Sequence, residues 1–303
     1  MKRLALLIGC VLLISAAARG EDDLASARSV LARYLAMPFP KTASSPVDTS
    51  KVARIAVLAE LKYMPHGAVL AAEEVLFDRA TPEQRCEIVG ALGDYIHTAE
   101  CAQLLYRVLK DIREPESKDK WEELVRSSAV LGLRRMASRT TRSGGQRVQT
   151  GPDHEPMVQG IVPLLIFAAS DKSEDVRLSA LYGLADSRDP AAVAELKRCL
   201  NDPSRIVRFY AACFLTEYED ASGLAEMCKS ASQLQKPDSD FRHPFSVEQL
   251  LASFERITGK SFGEIPMNPI LSSNSNAGAS ASKRYQELLH EWEVWCGQQP
   301  NLH

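Results

Sequence analysis

The residues of this chain that could carry chemistry are a Gly-Lys-Ser triplet, two His-Glu pairs, seven cysteines and an arginine-rich run. Gly259-Lys260-Ser261 resembles the end of a phosphate-binding loop, in which backbone amides cradle phosphates and the lysine reaches them. Such a loop needs a glycine five residues before Gly259, and that position holds Phe254. Nucleotide binding is therefore excluded there. Gly144-Gly145 stands alone, with no dinucleotide fingerprint around it. The histidines are His66, His97, His154, His243, His290 and His303, and none lies three or four residues from another. That spacing is what puts two imidazoles on one helix face for zinc. No Cys-x-x-Cys pair and no Gly-x-Ser-x-Gly elbow occurs. These absences point away from an enzyme: no catalytic residue, no cofactor site and no metal ligand is assigned.

The arginines are better placed. From Leu124 to Pro152 there are six (Arg126, Arg134, Arg135, Arg139, Arg142, Arg147) and no acidic residue. Just before, Asp111 to Glu123 carries six acids against three bases. Charge runs of this kind are ordinarily solvated loops. The sharper reading makes Arg134, Arg135, Arg139, Arg142 and Arg147 a site for an anionic partner, such as an acidic protein segment, a glycan or a phosphate group.

The N-terminus reads as a targeting segment. Lys2 and Arg3 precede an apolar run from Leu4 to Ile14, followed by small residues around Ala16-Ala17-Ala18. The expectation is a signal peptide over residues 1–20 and a periplasmic or secreted protein, with no membrane span in the mature chain. Leu7-Ile8-Gly9-Cys10 resembles a lipobox that would lipidate Cys10. The apolar run continues past Cys10, so the lipid anchor is the lesser reading. Cleavage after Ala18 removes two bases and moves the net charge from −3 to −5. Nothing in that balance favours nucleic acid. Six cysteines remain (Cys86, Cys101, Cys199, Cys213, Cys228, Cys296), an even number that permits disulfides after export without forming a dense framework. Most are expected as buried thiols in helices.

What must position these residues is a repeat. Five segments align on Arg54, Arg85, Arg126, Arg177 and Arg208, among them VRSSAVLGL at 125–133, VRLSALYGL at 176–184 and VRFYAACFL at 207–215. Counting the residue before each arginine as zero, offsets four, five and eight are apolar in every unit, from Val57, Leu58 and Leu61 to Ala211, Ala212 and Leu215. Those offsets share one face of a helix. Each such helix is followed by a second one. Thr81 to Gln84 forms a capping box, and Asp189-Pro190 and Asp202-Pro203 offer N-caps with first-turn prolines. The arginine spacings of 31, 41, 51 and 31 give a period of 31 with insertions near 111–120 and 139–158.

The Asp…Val-Arg-x-x-Ala-x-x-x-Leu pattern, seen from Asp171 to Leu184 and from Asp202 to Leu215, resembles short HEAT repeats of the bacterial, phycobilisome-lyase-like type. The resemblance covers roughly residues 48–230. It implies an all-α αα-solenoid of about five hairpins, a family united by packing rather than by one activity. It also implies a structural role for the five repeat arginines, each paired with an acid of a neighbouring turn such as Asp171 or Asp202. HEAT-repeat deoxyhypusine hydroxylases hold iron through His-Glu pairs at matching repeat positions. Here His154-Glu155 lies in an insertion and His290-Glu291 in the tail, so that activity is not implied.

Ile257-Thr258-Gly259-Lys260-Ser261-Phe262-Gly263, with Trp292 and Trp295 beyond, resembles a tail found after HEAT repeats in some exported bacterial proteins. The expected organisation is a signal peptide at 1–20, a capping helix and linker at 21–47, repeats at 48–232 and a tail at 233–303. Within the tail, Ser272 to Ser282 reads as a flexible linker. A terminal helix then places Tyr285, Leu288, Leu289, Trp292 and Trp295 on one apolar face as a cap. The functional expectation is a non-catalytic scaffold for an unidentified protein partner. The alternatives are a lyase-like or metal-dependent HEAT-repeat enzyme and a membrane-tethered accessory subunit.

Overall fold

The computed structural model describes residues 21–39, 49–112, 120–138, 140–143, 146–149, 158–234, 244–265 and 275–299. Residues 1–20, expected as a signal peptide, with Cys10, and also Arg139 and His154-Glu155, lie outside these residues. The chain divides into two compact units, Met1–Leu164 and Leu165–His303.

In the first unit, helix α1 (residues 21–35) precedes α2 (Thr49–Leu58) and a 3-10 turn at Ala59–Tyr63. Then come α3 (Pro65–Leu76), α4 (Pro82–Tyr95), α5 (Ala99–Asp111) and α6 (Lys120–Ala137). The arginine-bearing helices are α2, α4 and α6; α3 and α5 are the second helices of their hairpins. Offsets zero, four, five and eight are buried throughout α4 and α6. The terminal α2 departs from this. Its Ala53 is exposed and Val57 half-buried, because the helix tightens after Leu58 and Leu61 enters the core from the 3-10 turn.

Chain ends are closed locally. Thr81 accepts from the Gln84 amide while the Gln84 side chain accepts from the Thr81 amide, the expected capping box. Helix α1 covers the first hairpin with Ala27, Val30, Leu31 and Tyr34 buried, and Arg28 reaches Glu74 of α3. Of the expected face, Leu31 is buried, while Leu24 and Leu35 flank it.

Helices α4 and α6 cross at two glycines. A Cβ built on Gly93 would lie 2.6 Å from the Gly132 Cα, closer than any real contact. Gly90, one turn earlier, faces open space. The two glycines therefore respond oppositely to alanine. Gly90→Ala gains helix propensity and stabilises by about 0.5–1 kcal/mol. Gly93→Ala forces backbones apart and costs about 2 kcal/mol net. Thermal melts of the two variants check the opposed signs.

Residues 139–158 were expected as a loop. Part of this insertion is an antiparallel ribbon, β1 (Thr140–Ser143) with β2 (Gln146–Gln149), in which Thr141 pairs with Val148 and Arg142 with Arg147. Thr and Val suit extended backbone, and Gly144-Gly145 supplies a turn signal. Among the described residues the ribbon is the exception to a helical architecture.

Helix α7 (Val162–Ala168) leads into the second unit. There α8 (Glu174–Ser187) pairs with α9 (Ala192–Cys199), and α10 (Arg205–Leu215) with α11 (Leu224–Leu234). Helix α12 (Pro244–Thr258) and α13 (Ser275–Gly297) follow. Two expected N-caps are corrected. The cap of α10 is Ser204, which accepts from the Val207 amide, not Asp202. Asp202 instead accepts from the Ser204 amide and binds an arginine. Asp189 accepts from the Ala191 amide, and α9 begins beyond that turn, at Ala192.

The linker expected at 272–282 is also corrected, because α13 begins at Ser275 and takes in residues 275–282. The far half of this helix caps the unit. Tyr285, Leu288, Leu289 and Trp292 are buried against Leu250, Leu251 and Phe254 of α12 and Met227 and Ala231 of α11. Trp292 stacks on Phe254 with ring centroids 4.5 Å apart, and Phe262 meets it edge-on at 4.8 Å. The Gly259–Gly263 motif thus has a structural use. Gly259 takes φ +68 to stop α12, and the Phe262 carbonyl accepts from Arg284 at 2.8 Å.

Candidate functional site

The repeat arginines are absorbed by structure. Arg177 makes two parallel bonds to Asp202, both 2.9 Å, and donates through Nη1 to the Asp171 and Lys172 carbonyls at 2.9 and 3.0 Å. Arg208 repeats the second half of that pattern on the Asp202 and Pro203 carbonyls, at 2.7 and 3.1 Å, and meets Glu226 at 3.4 Å. Each arginine therefore clamps the turn before its own helix and reaches an acid further along. A planar guanidinium with its fixed donor fork suits this double task. Arg54 is buried and doubly bonded to Glu87 at 2.9 and 3.0 Å, with the Phe39 ring 4.1 Å above it. Glu87 also accepts from Tyr34; burial, followed by the Glu87 charge, pushes that phenol's pKa up. Arg85 donates to the Phe77 carbonyl and Arg126 to the Ile112 carbonyl.

The arginines expected to face an anionic partner divide. Arg134 and Arg135 form the last turn of α6, and Arg135 meets Asp94 at 2.5 Å. Arg142 and Arg147 are opposite one another in the ribbon register. Arg139 lies outside the described residues.

Chemistry-bearing side chains do not converge. Among the described residues no three of His, Cys, Asp and Glu are grouped to hold a metal. His290 and Glu291 line a shallow cleft with Lys260, Phe262, Val294, Trp295 and Gln298. Of the six described cysteines, Cys228 and Cys296 form a disulfide between α11 and α13, with Cα atoms 5.7 Å apart. Cys86, Cys101, Cys199 and Cys213 are free thiols. Burial pushes Cys101, Cys199 and Cys213 up to about 12, so they are not thiolate nucleophiles at neutral pH.

What remains exposed is apolar surface that the repeat reading did not single out. In the first unit, Val52 and Ile55 stand out from α2, and Trp121, Leu124 and Leu131 from α6. Ile55 occupies offset two and Leu131 offset six of their units, on the outward side of the arginine-bearing helices. At the corresponding positions α4 carries Cys86 and Gly90, and the Cys86 sulfur lies 3.5 Å from the Ser128 hydroxyl of α6. The signal was present in the sequence as apolar residues off the buried offsets.

Among the described residues no helix is long and apolar enough to cross a membrane. A family model for HEAT repeats matches residues 159–242. No curated protein and no solved structure matches the chain. The matched segment, which holds the hairpins α8–α9 and α10–α11 with their arginine clamps, is similar to HEAT repeats.

Proposed function

We propose that the protein is an exported, non-catalytic HEAT-repeat scaffold that binds a protein partner. The observation that carries this reading is the exposed apolar side of the first unit, Val52 and Ile55 on α2 with Trp121, Leu124 and Leu131 on α6. Exposed apolar groups gathered on one side of a folded unit are a cost in water unless something covers them. The Cys228–Cys296 disulfide supports export, since such bonds persist in oxidising compartments. The basic start and apolar run of the first twenty residues support it as well. The buried thiols of Cys101, Cys199 and Cys213, held protonated, and histidines spread along the chain support a binding role over catalysis.

Affinity capture from the native cell envelope tests the reading, with wild type and the double variant Val52→Asp/Ile55→Asp run side by side. Both positions are exposed, so the variant keeps its helical circular dichroism. Capture should fall at least about tenfold, as for a desolvated apolar anchor. Equal capture by the two proteins would refute this surface as the binding side.

A further inference from the structure

Beside the α13 cap of the second unit lies a cleft that the repeat does not use. One wall is α13 itself, where Glu291, Val294, Trp295 and Gln298 recur at helical spacing along one face. The other wall is the segment that leaves α12, with Lys260 and Phe262. Both walls are braced. Gly259 and Gly263 take φ +68 and +121, values that favour glycine, and so turn this segment back against α13. Arg284 of α13 holds the Phe262 carbonyl at 2.8 Å, and the Ser261 hydroxyl is tied to Glu255 at 2.5 Å. On the α13 side, Trp295 stands edge-on to Trp292 at 5.4 Å, and its neighbour Cys296 is bonded to Cys228 of α11. A cleft formed before anything enters it spares a ligand the ordering cost.

The polarity of the lining is ordered. Phe262, Val294 and Trp295 are its apolar part; Val294 is 48% exposed and Trp295 half-buried. Lys260, Glu291 and Gln298 are the polar part, and among the described residues their side chains hold no hydrogen bond or ion pair. Glu291 and Gln298 stand two turns apart, about 10 Å along the helix, with Val294 and Trp295 between them. Polar groups therefore flank an apolar middle at both ends.

We infer that this cleft binds a neutral saccharide of one or two pyranose rings, laid with a C–H face on Trp295 and its hydroxyls turned to the rim. A pyranose is apolar on its faces and polar around its edge, the same order as this lining. Each hydroxyl both donates and accepts, so an ammonium, a carboxylate and an amide can all serve it. Other small ligands match the rim less well. An anion drawn by Lys260 meets Glu291, and Glu293 is a further carboxylate 3.9 Å from His290 Nδ1. A cation drawn by Glu291 meets Lys260. An amino acid carries both charges at one end, whereas the polar groups here are divided between two. The cavity volume of 310 Å³ stands at the lower end of the ~300–1,000 Å³ of ligand pockets. Because the cleft is shallow, one sugar face stays in water, and the dissociation constant should be on the order of millimolar.

Saturation-transfer NMR and tryptophan fluorescence of the purified full chain test the inference, with cellobiose, maltose and N,N′-diacetylchitobiose titrated over about 0.1–50 mM. At least one sugar should bind saturably, with its ring C–H protons receiving the transfer. Glycylglycine and inorganic phosphate at the same concentrations should not bind. Trp295→Leu keeps an apolar side chain beside Trp292 but removes the flat ring, and should weaken binding at least about tenfold. Lys260→Ala/Gln298→Ala changes only exposed side chains. It should weaken binding at least about threefold with circular dichroism unchanged. Val52→Asp/Ile55→Asp, in the first unit, should bind sugar as wild type does, so this site and the scaffold reading stand or fall separately. No saturable binding of any of the three sugars, equal binding of glycylglycine or phosphate, or sugar binding that survives either cleft variant undiminished overturns the inference.

Discussion

Leu184→Asp unfolds the second unit at a lower urea concentration than Arg177→Ala. Leu184 is fully buried at offset eight of its repeat, and its carbonyl accepts from Ser187 at 2.7 Å and Tyr218 at 2.6 Å. An aspartate there loses the apolar transfer energy and places a carboxyl where the surrounding donors already serve the backbone. The combined cost is about 5 kcal/mol or more. Arg177→Ala removes two charged bonds to Asp202 and two to backbone carbonyls. Asp202 keeps its bond from the Ser204 amide, and the arginine site lies near enough to the surface for water to enter. Its cost should be about 2–3 kcal/mol. Urea melts of the two variants measure the order, and equal midpoints would remove Leu184 from the centre of the repeat core.

Breaking the Cys228–Cys296 bond is the second large effect. The bond closes a 68-residue separation. Chain entropy for a loop of that length corresponds to about 4 kcal/mol at room temperature, before strain or denatured-state structure is considered. Cys228→Ser/Cys296→Ser should therefore lower the melting temperature of the second unit by several degrees or more. Reductant should do the same to wild type and nothing further to the variant. The α13 cap should still dock in the variant at low temperature, because Trp292 on Phe254 and the leucines beneath it do not depend on sulfur. Intact mass under non-reducing conditions tests the pairing itself; six free thiols in exported protein would contradict it.

Much of the local plan was legible in the amino-acid order. A helix face repeats every 3.6 residues, so apolar residues at offsets four, five and eight marked α4, α6, α8 and α10 without any partner being known. The Thr81–Gln84 capping box was equally local, both of its bonds lying within four residues. The N-caps at 202–204 were harder. Asp and Ser both cap helices, and the choice of Ser204 follows from Arg177, 25 residues away, holding the Asp202 carboxylate. The arginine ladder was foreseen in kind from the family resemblance, but the Glu87 partner of Arg54 lies within a helix rather than in a turn.

Sequence by itself therefore determined the helical period and the hairpin order of the described helices, because each depends on neighbours along one chain. Tertiary structure decided which surfaces meet. Gly93 and Gly132 carry no polarity that would announce a helix crossing, and only the backbone approach of α4 to α6 explains them. Cys228 and Cys296 were two of six alike, and their pairing waited on α13 folding back over α11. Trp121, Leu124 and Leu131 could have been core or surface on composition alone. Their exposure follows from α6 burying its opposite side, with Val125, Ala129, Val130 and Leu133, which leaves the outer stripe to whatever binds it.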